Sequence, residues 1–271
     1  MRALTVVITN QKGGVGKSTT AEALAEGLAI KGHRALLVDL DPQCSATMTS
    51  GARPGGPTTY EVMTRLSGAQ EAIQQHAQED AQEGAQGDKR RADIIPASRR
   101  LAGLDLELTS AGKEYRLRER LATLLELYAF IVLDTPPSLG ILTVNALTAA
   151  DALVIPAQAD AYSLMGIGQL METVGAVKAY TNPGLAMAGV LLTRHNPRTV
   201  LSRDMAAAAA ETAGRIGTFL YGAAIRESVA VKEAQASRRS IYGYAPKSNA
   251  AADYTAFTDE FLERTKSNGI H

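Results

Sequence analysis

Short, continuous apolar runs alternate along the chain with longer stretches whose apolar residues recur every three or four positions. Leu4–Ile8 is an apolar, β-branched run of the kind that makes a strand buried on both faces. After a glycine-rich turn, Ala21, Leu24, Ala25, Leu28 and Ala29 recur at helical spacing over 18–31, and Gly32 stops that helix. A second buried strand is predicted over 35–38. Further strand-like runs fall at 93–96, 129–133, 152–155 and 188–192, with helical patterns at 116–127, 139–149, 164–179 and 200–216. Strands alternating with helices from end to end predict one α/β domain over 1–271. Its expected core is a doubly wound, mostly parallel sheet flanked by helices and joined by right-handed crossovers.

Composition narrows the classes of function. Hydrophobic residues make up 45% of the 271 positions, enough for an ordinary core. Lys and Arg total 28, as do Asp and Glu, so bulk positive charge is excluded as a means of binding nucleic acid. A local basic face stays open. A single cysteine, Cys44, excludes a disulfide framework and any all-cysteine metal site within one chain. No apolar run approaches the ~18 residues of a membrane span. The N-terminal apolar stretch is too short for a signal peptide, so a cytoplasmic location is expected. One segment breaks the alternation. Residues 68–91 are rich in Gln, Ala and acid, with Glu71, Glu79, Asp80, Glu83 and Asp88 preceding any Lys or Arg. It reads as a solvated helix and loop, a variable insertion in the domain.

The chemistry concentrates in the turn after the first strand. Residues 12–19 are Lys12, Gly13, Gly14, Val15, Gly16, Lys17, Ser18 and Thr19. Glycines let successive backbone N–H groups turn inward as an anion nest, and the following helix N-terminus adds its dipole. Lys17 is placed to reach the β- and γ-phosphates of a nucleotide, and the Ser18 hydroxyl to bind Mg²⁺. The motif follows a buried strand and opens a helix, which is the context a phosphate loop requires. Two further strands end in acids: Asp39 and Asp41 in LLVDLDPQ, and Asp134 in FIVLDTPPSLG. In a doubly wound sheet the carboxyl ends of strands line the ligand crevice. A carboxylate there can hold a metal-bound water or orient an attacking one.

The loop departs from the ordinary phosphate-loop pattern. Gln11 stands at its first glycine position, and Lys12 is an additional lysine. This form, KGGVGKST, resembles the ParA/MinD group of ATPases, and the resemblance to the ParA/Soj partition ATPases extends over nearly the whole chain. It is carried by QKGGVGKSTTAEALA, ALLVDLDPQCSAT, DIIPAS, KEYRL, FIVLDTPPSLGILTVNAL, ADALVIPAQADAYSLMGIGQL, GVLLTRHNPRT, IRESVAVKEAQ and YAPKSNAAADY. The resemblance implies ATP and Mg²⁺ as cofactors and hydrolysis of ATP as the activity. It implies that Lys12 crosses a dimer interface to the partner's nucleotide and that Asp41 orients the hydrolytic water. Asp134 would hold the metal through water, with Asp39 as a second water-mediated candidate. The adenine would lie near Thr193, Arg194 and the 244–246 loop that ends in Pro246.

The same resemblance implies a homodimer formed with ATP, non-specific binding of double-stranded DNA on the nucleoid, and stimulation by a ParB-like centromere-binding partner. Between Arg194 and Lys247 there are nine basic residues against four acidic ones. The resemblance points to Arg198, Arg226, Lys232, Arg238 and Arg239 as DNA contacts, made to phosphates rather than base edges. Departures from the family pattern are Cys44-Ser45 in place of Gly-Asn, Ala224-Ile225-Arg226-Glu227 in place of Ile-Pro-Arg-Asn, and the Gln- and acid-rich segment.

Relatives within the group separate on sequence. A nitrogenase-type iron protein needs two cysteines per subunit. A MinD-like membrane ATPase needs a basic amphipathic tail, whereas 258–271 has a narrow apolar face and mixed charge. Phe257, Phe261 and Leu262 are expected to dock on the body. The phosphate loop begins at the twelfth residue, so no preceding DNA-reading domain is expected. The alternatives are a MinD-like membrane-positioning ATPase, a ParA-like protein positioning a cargo other than DNA, and a metabolic enzyme that phosphorylates a small substrate.

Overall fold

Six parallel strands form the centre of the protein. The computed structural model describes residues 2–75, 91–267 and 269, so most of the Gln- and acid-rich segment lies outside the described residues. The strands are β1 (Leu4–Ile8), β2 (Ala35–Asp39), β3 (Asp93–Ile95), β4 (Phe130–Asp134), β5 (Ala152–Gln158) and β6 (Ala186–Thr193). Their order across the sheet is β3-β2-β4-β1-β5-β6. Every pairing between these strands is parallel, where the sequence pattern predicted mostly parallel. The strands β5 and β6 run longer than their apolar cores, because Pro156, Gln158 and Thr193 continue the ladder.

The helices are α1 (Lys17–Ile30), α2 (Ser45–Thr49), α3 (Thr59–Thr64), α4 (Leu104–Glu107), α5 (Arg116–Leu121), α6 (Ile141–Ala149), α7 (Ala161–Tyr180), α8 (Val200–Arg215), α9 (Val229–Ala236), α10 (Ile241–Tyr244) and α11 (Asn249–Ser267). The helix predicted over 116–127 ends early and tightens into a single 3₁₀ turn at Ala122–Leu124. Successive strand side chains face opposite sides of the sheet. Val7, Leu36, Val38, Leu133 and Ile155 pack with α3, α5, α6 and α7. Val6, Ile8, Leu37, Val132 and Val154 pack with α1 and α11. Both faces are covered, which explains why these strands are apolar runs and not alternating ones.

Phe257 and Phe261 are fully buried, and Leu262 packs beside them. The apolar face of α11 is therefore part of the core, as the sequence led one to expect. Among the described residues no helix is long and apolar enough to cross a membrane. Within the described part of 68–91, Gln74 forms an antiparallel bridge to Ile94 and so extends the β3 edge by one residue.

Strand order places the functional crevice. From β1 the chain crosses to β2 on one side, and from β4 it crosses to β5 on the other. The carboxyl ends of β1 and β4 thus lie at the switch point where α/β sheets bind ligands. In register, Ile8 is level with Asp134, and Asp134 is level with Asp39.

Candidate active site

The loop between β1 and α1 has an anion-binding shape. Gly14 and Gly16 have φ of 75° and 85°, the left-handed region where a side chain would be strained. Gly16 caps α1 with no side-chain bond, which leaves the first N–H groups of that helix available to an anion. Neighbouring strand ends brace the loop. Gln158 Nε2 donates to the Gly14 carbonyl at 2.8 Å and Thr193 Oγ1 to the Val15 carbonyl at 2.8 Å. Asn10 Nδ2 donates to the Pro156 carbonyl at 2.8 Å, and Asn10 Oδ1 accepts from the Lys12 N–H at 3.1 Å.

Lys17 is buried, and its ammonium donates to the Lys12 carbonyl at 3.0 Å. Burial lowers its pKa, and the nearby carboxylates of Asp134 and Asp41 oppose that shift. A buried ammonium beside the anion nest suits an anionic ligand, whose charge would further favour its protonated form. Lys12 behaves differently. Its backbone belongs to the loop, but its ammonium lies 2.6 Å from Asp160 Oδ2 and 3.5 Å from Gln158 Oε1. The other oxygen of Asp160 accepts from the Ser163 N–H and caps α7. Gly166 on that helix lies against the loop: a Cβ there would come within 3.3 Å of Asn10 Oδ1 and 3.9 Å of Lys12 Cβ.

The three acids divide by environment. Asp134 is fully buried, and neither oxygen finds a protein partner in hydrogen-bonding geometry. Burial drives its pKa well above the ordinary value, the Asp39 charge adds to this, and the Ser18 hydroxyl close by tempers it. Two orphaned oxygens next to Ser18 and Lys17 fit a hydrated Mg²⁺, whose waters would satisfy them. Asp39 is equally buried, with its pKa pushed up by burial to about 6. Its oxygens are taken by protein donors: the Asp41 N–H at 2.9 Å, the Thr47 N–H at 2.8 Å and the Thr47 hydroxyl at 2.7 Å. Asp39 thus fastens both ends of its loop. Asp41 accepts from the Gln43 N–H at 2.9 Å through Oδ1. Cys44, which the sequence marked as a departure from the family's glycine, adopts φ 57° in the left-handed region and caps α2.

The expected base-binding residues are dispersed in role. Thr193 is buried, its hydroxyl spent on the Val15 carbonyl and the loop it braces. Arg194 is exposed with φ 50° and pairs with Glu227 at 3.2 Å. Pro246 is exposed beyond α10. Thr19 accepts from Gln235 Nε2 at 2.9 Å, a direct link from the phosphate-loop helix to α9.

The basic segment is partly neutralised. Arg226 makes a forked pair with Asp253, 2.6 Å at its shortest, where the sequence had suggested a free cation. Lys232 lies 3.9 Å from Glu227, and Arg239 donates to the Gly243 carbonyl. Arg198, Arg203 and Arg238 are exposed with no acidic partner among the described residues. His195 bonds Ser202 Oγ through Nδ1 at 2.9 Å and bridges to Arg226. Sequence reasoning did not single out Asn10, Thr47, Gln158 or Asp160. Asp160, three residues before Ser163 at a helix start, carried a capping signal; the others carried none.

Known proteins resemble the chain over nearly its whole length. Residues 3–187 match the family model described as an AAA domain. The sporulation initiation inhibitor Soj of Bacillus subtilis is 36% identical over 94% of this chain and 96% of its own length. The chromosome partitioning protein ParA of Caulobacter vibrioides is 35% identical over 96% of this chain and 94% of its own. A Mycobacterium smegmatis structure described as cobyrinic acid a,c-diamide synthase with bound ATP analogue and magnesium superposes with a TM-score of 0.79. It is 31% identical, over 98% of this chain and 97% of that one.

Proposed function

The chain belongs to the ParA/Soj family of partition ATPases, and from that premise we propose that ATP closes two copies into a dimer that holds duplex DNA. The protein is a Mg²⁺-dependent ATPase. Hydrolysis, stimulated by a ParB-like partner, would open the dimer and release the DNA. The dimer would contact DNA phosphates without reading sequence and so reside on the nucleoid of the cytoplasm.

The position of Lys12 carries this reading. Its carbonyl helps to hold Lys17 in its own loop, while its ammonium sits outside that loop at Asp160. A lysine placed this way can exchange Asp160 for the phosphates of a second subunit. That contact needs the γ-phosphate side of the nucleotide, so it separates ATP from ADP by differential affinity. Met165, one residue before the close contact of Gly166 with the loop, is 71% exposed and stands on the face that would be covered.

Within one subunit the roles follow from surroundings. The N–H groups of the 13–19 loop and Lys17 bind the phosphates. Ser18, and Asp134 through water, hold Mg²⁺, which when bound offsets charge on the β- and γ-phosphates. Asp41, on a braced loop beside them, orients the attacking water. Thr193 fixes the loop beneath the nucleotide, and Arg194 and the loop ending at Pro246 border the base. Arg198 and Arg238 lead the DNA face, with Lys232 and Arg239 beside them. Arg226 contributes by holding Asp253 and the β6 exit in place.

The test is Asp41→Ala. It should bind ATP and form the ATP dimer while hydrolysing it hardly at all. Turnover at the native rate would reassign Asp41. The membrane alternative is disfavoured by the apolar face of α11, which is packed in the core and not turned to a lipid surface.

A further inference from the structure

The loop from Asp39 to Thr47 carries Asp41, and most of its backbone donors have partners. Leu40 N–H donates to the Asp134 carbonyl at 3.0 Å, and Cys44 N–H to the Asp41 carbonyl at 2.8 Å. Gln43 N–H goes to Asp41 Oδ1. Both ends of the loop converge on one carboxylate. Asp39 Oδ1 takes the Asp41 N–H, and Asp39 Oδ2 takes the N–H and the hydroxyl of Thr47. A hydroxyl has one proton, and Thr47 gives it to Asp39. Its oxygen then accepts from the Ala97 N–H at 2.8 Å, beyond β3. The Thr59 hydroxyl donates to the Asp39 carbonyl at 2.7 Å and ties α3 to the same point. Asp39 is fully buried, so water does not substitute for these bonds.

We infer that Thr47 and Asp39 are positioning residues for hydrolysis, clamping the loop so that Asp41 is held at one place relative to the phosphate loop. The inference rests on the reading of Asp41 as the residue that orients water. Thr47 is the informative member. Valine has nearly its shape but neither donates to Asp39 nor accepts from Ala97. The Thr47 N–H bond to Asp39 survives, so the loop is loosened without being released. Serine restores both bonds.

The experiment measures steady-state hydrolysis and binding of a fluorescent ATP analogue by the full chain. It uses Thr47→Val and Thr47→Ser, each alone and combined with Asp41→Ala. A displaced water-orienting group costs rate more than affinity. Thr47→Val should lower kcat roughly 10- to 100-fold while nucleotide affinity stays within about twofold of native. Thr47→Ser should recover most of the rate. In the Asp41→Ala background Thr47→Val should cost nothing more, because the group it positions is gone. Thr47→Ala is read the same way should the valine variant not fold. A native kcat in Thr47→Val, a failure of serine to rescue, or a full additional loss on top of Asp41→Ala would each overturn the clamp. If Asp41→Ala alone hydrolyses ATP normally, the fault lies in the Asp41 assignment, and the clamp falls with it.

Discussion

The Nζ of Lys12 lies 2.6 Å from Oδ2 of Asp160, so the lysine that distinguishes this phosphate loop is engaged within its own subunit. Both side chains keep about a third of their accessibility. An ion pair this open contributes on the order of 0.2–1 kcal/mol. That is small enough to be exchanged for the contact with a partner's nucleotide, and large enough to weigh against it.

Neutralising Asp160 should therefore favour the dimer. Asp160→Asn keeps the side-chain oxygen that caps α7 at Ser163 and removes the charge that holds Lys12. Self-association with ATP, followed by light scattering across protein concentration, should tighten by about two- to fivefold. Weakened association would show that Asp160 supports the dimer instead of competing with it.

A pH effect is expected from α1. Glu22 is buried against Glu26, and burial together with that neighbour pushes its carboxyl from near 4.5 up to about 8. Between those values the folded protein holds a proton that the unfolded chain releases. Stability from this group is full below about pH 4.5 and declines as pH rises through 8, at up to ~1.4 kcal/mol per unit. Glu22→Gln stays neutral throughout. Its melting temperature, compared with native from pH 5 to 9, should fall less steeply, with the largest gain at the alkaline end. Parallel curves would mean that Glu22 is ionised in the fold.

Charge reversal should separate the arginines of the basic segment. Every DNA phosphate that the protein ceases to neutralise flattens the dependence of log affinity on log salt by about 0.9. Arg198→Glu with Arg238→Glu should flatten that slope and weaken duplexes of unrelated sequence alike, leaving the ATP dimer intact. Arg226→Gln should alter the slope little and lower thermal stability instead, because Arg226 is already forked onto Asp253. Unchanged salt dependence in the double variant would move the DNA face elsewhere.

Much of this architecture is legible without coordinates because it depends on local pattern. A strand buried on both faces must be apolar throughout, and Gly14, Gly16 and Lys17 announce the anion nest by residue type and spacing. What sequence could not supply is how one polar residue is used against another. Asp39 and Asp134 both end apolar strands and lie level in the sheet. Only the placement of Thr47, eight residues on, turns Asp39 into a fastener, while both oxygens of Asp134 stay without a hydrogen-bond partner. Arg226 looks like a free cation until α11 brings Asp253 against it, 27 residues later. The early end of α5 was hidden as well, since Leu124 and Leu125 continue the apolar period into a 3₁₀ turn. These outcomes depend on long-range packing, which local periodicity does not encode.

The most direct measurement is fluorescence anisotropy of two labelled duplexes of unrelated sequence, titrated with the protein and Mg²⁺ in ATP, in a slowly hydrolysed analogue and in ADP. The account predicts tight, equal binding to both duplexes with ATP and the analogue, weak binding with ADP, and loss of the ATP response in Lys12→Ala. Binding that is the same in ADP as in ATP, or absent with every nucleotide, would contradict it.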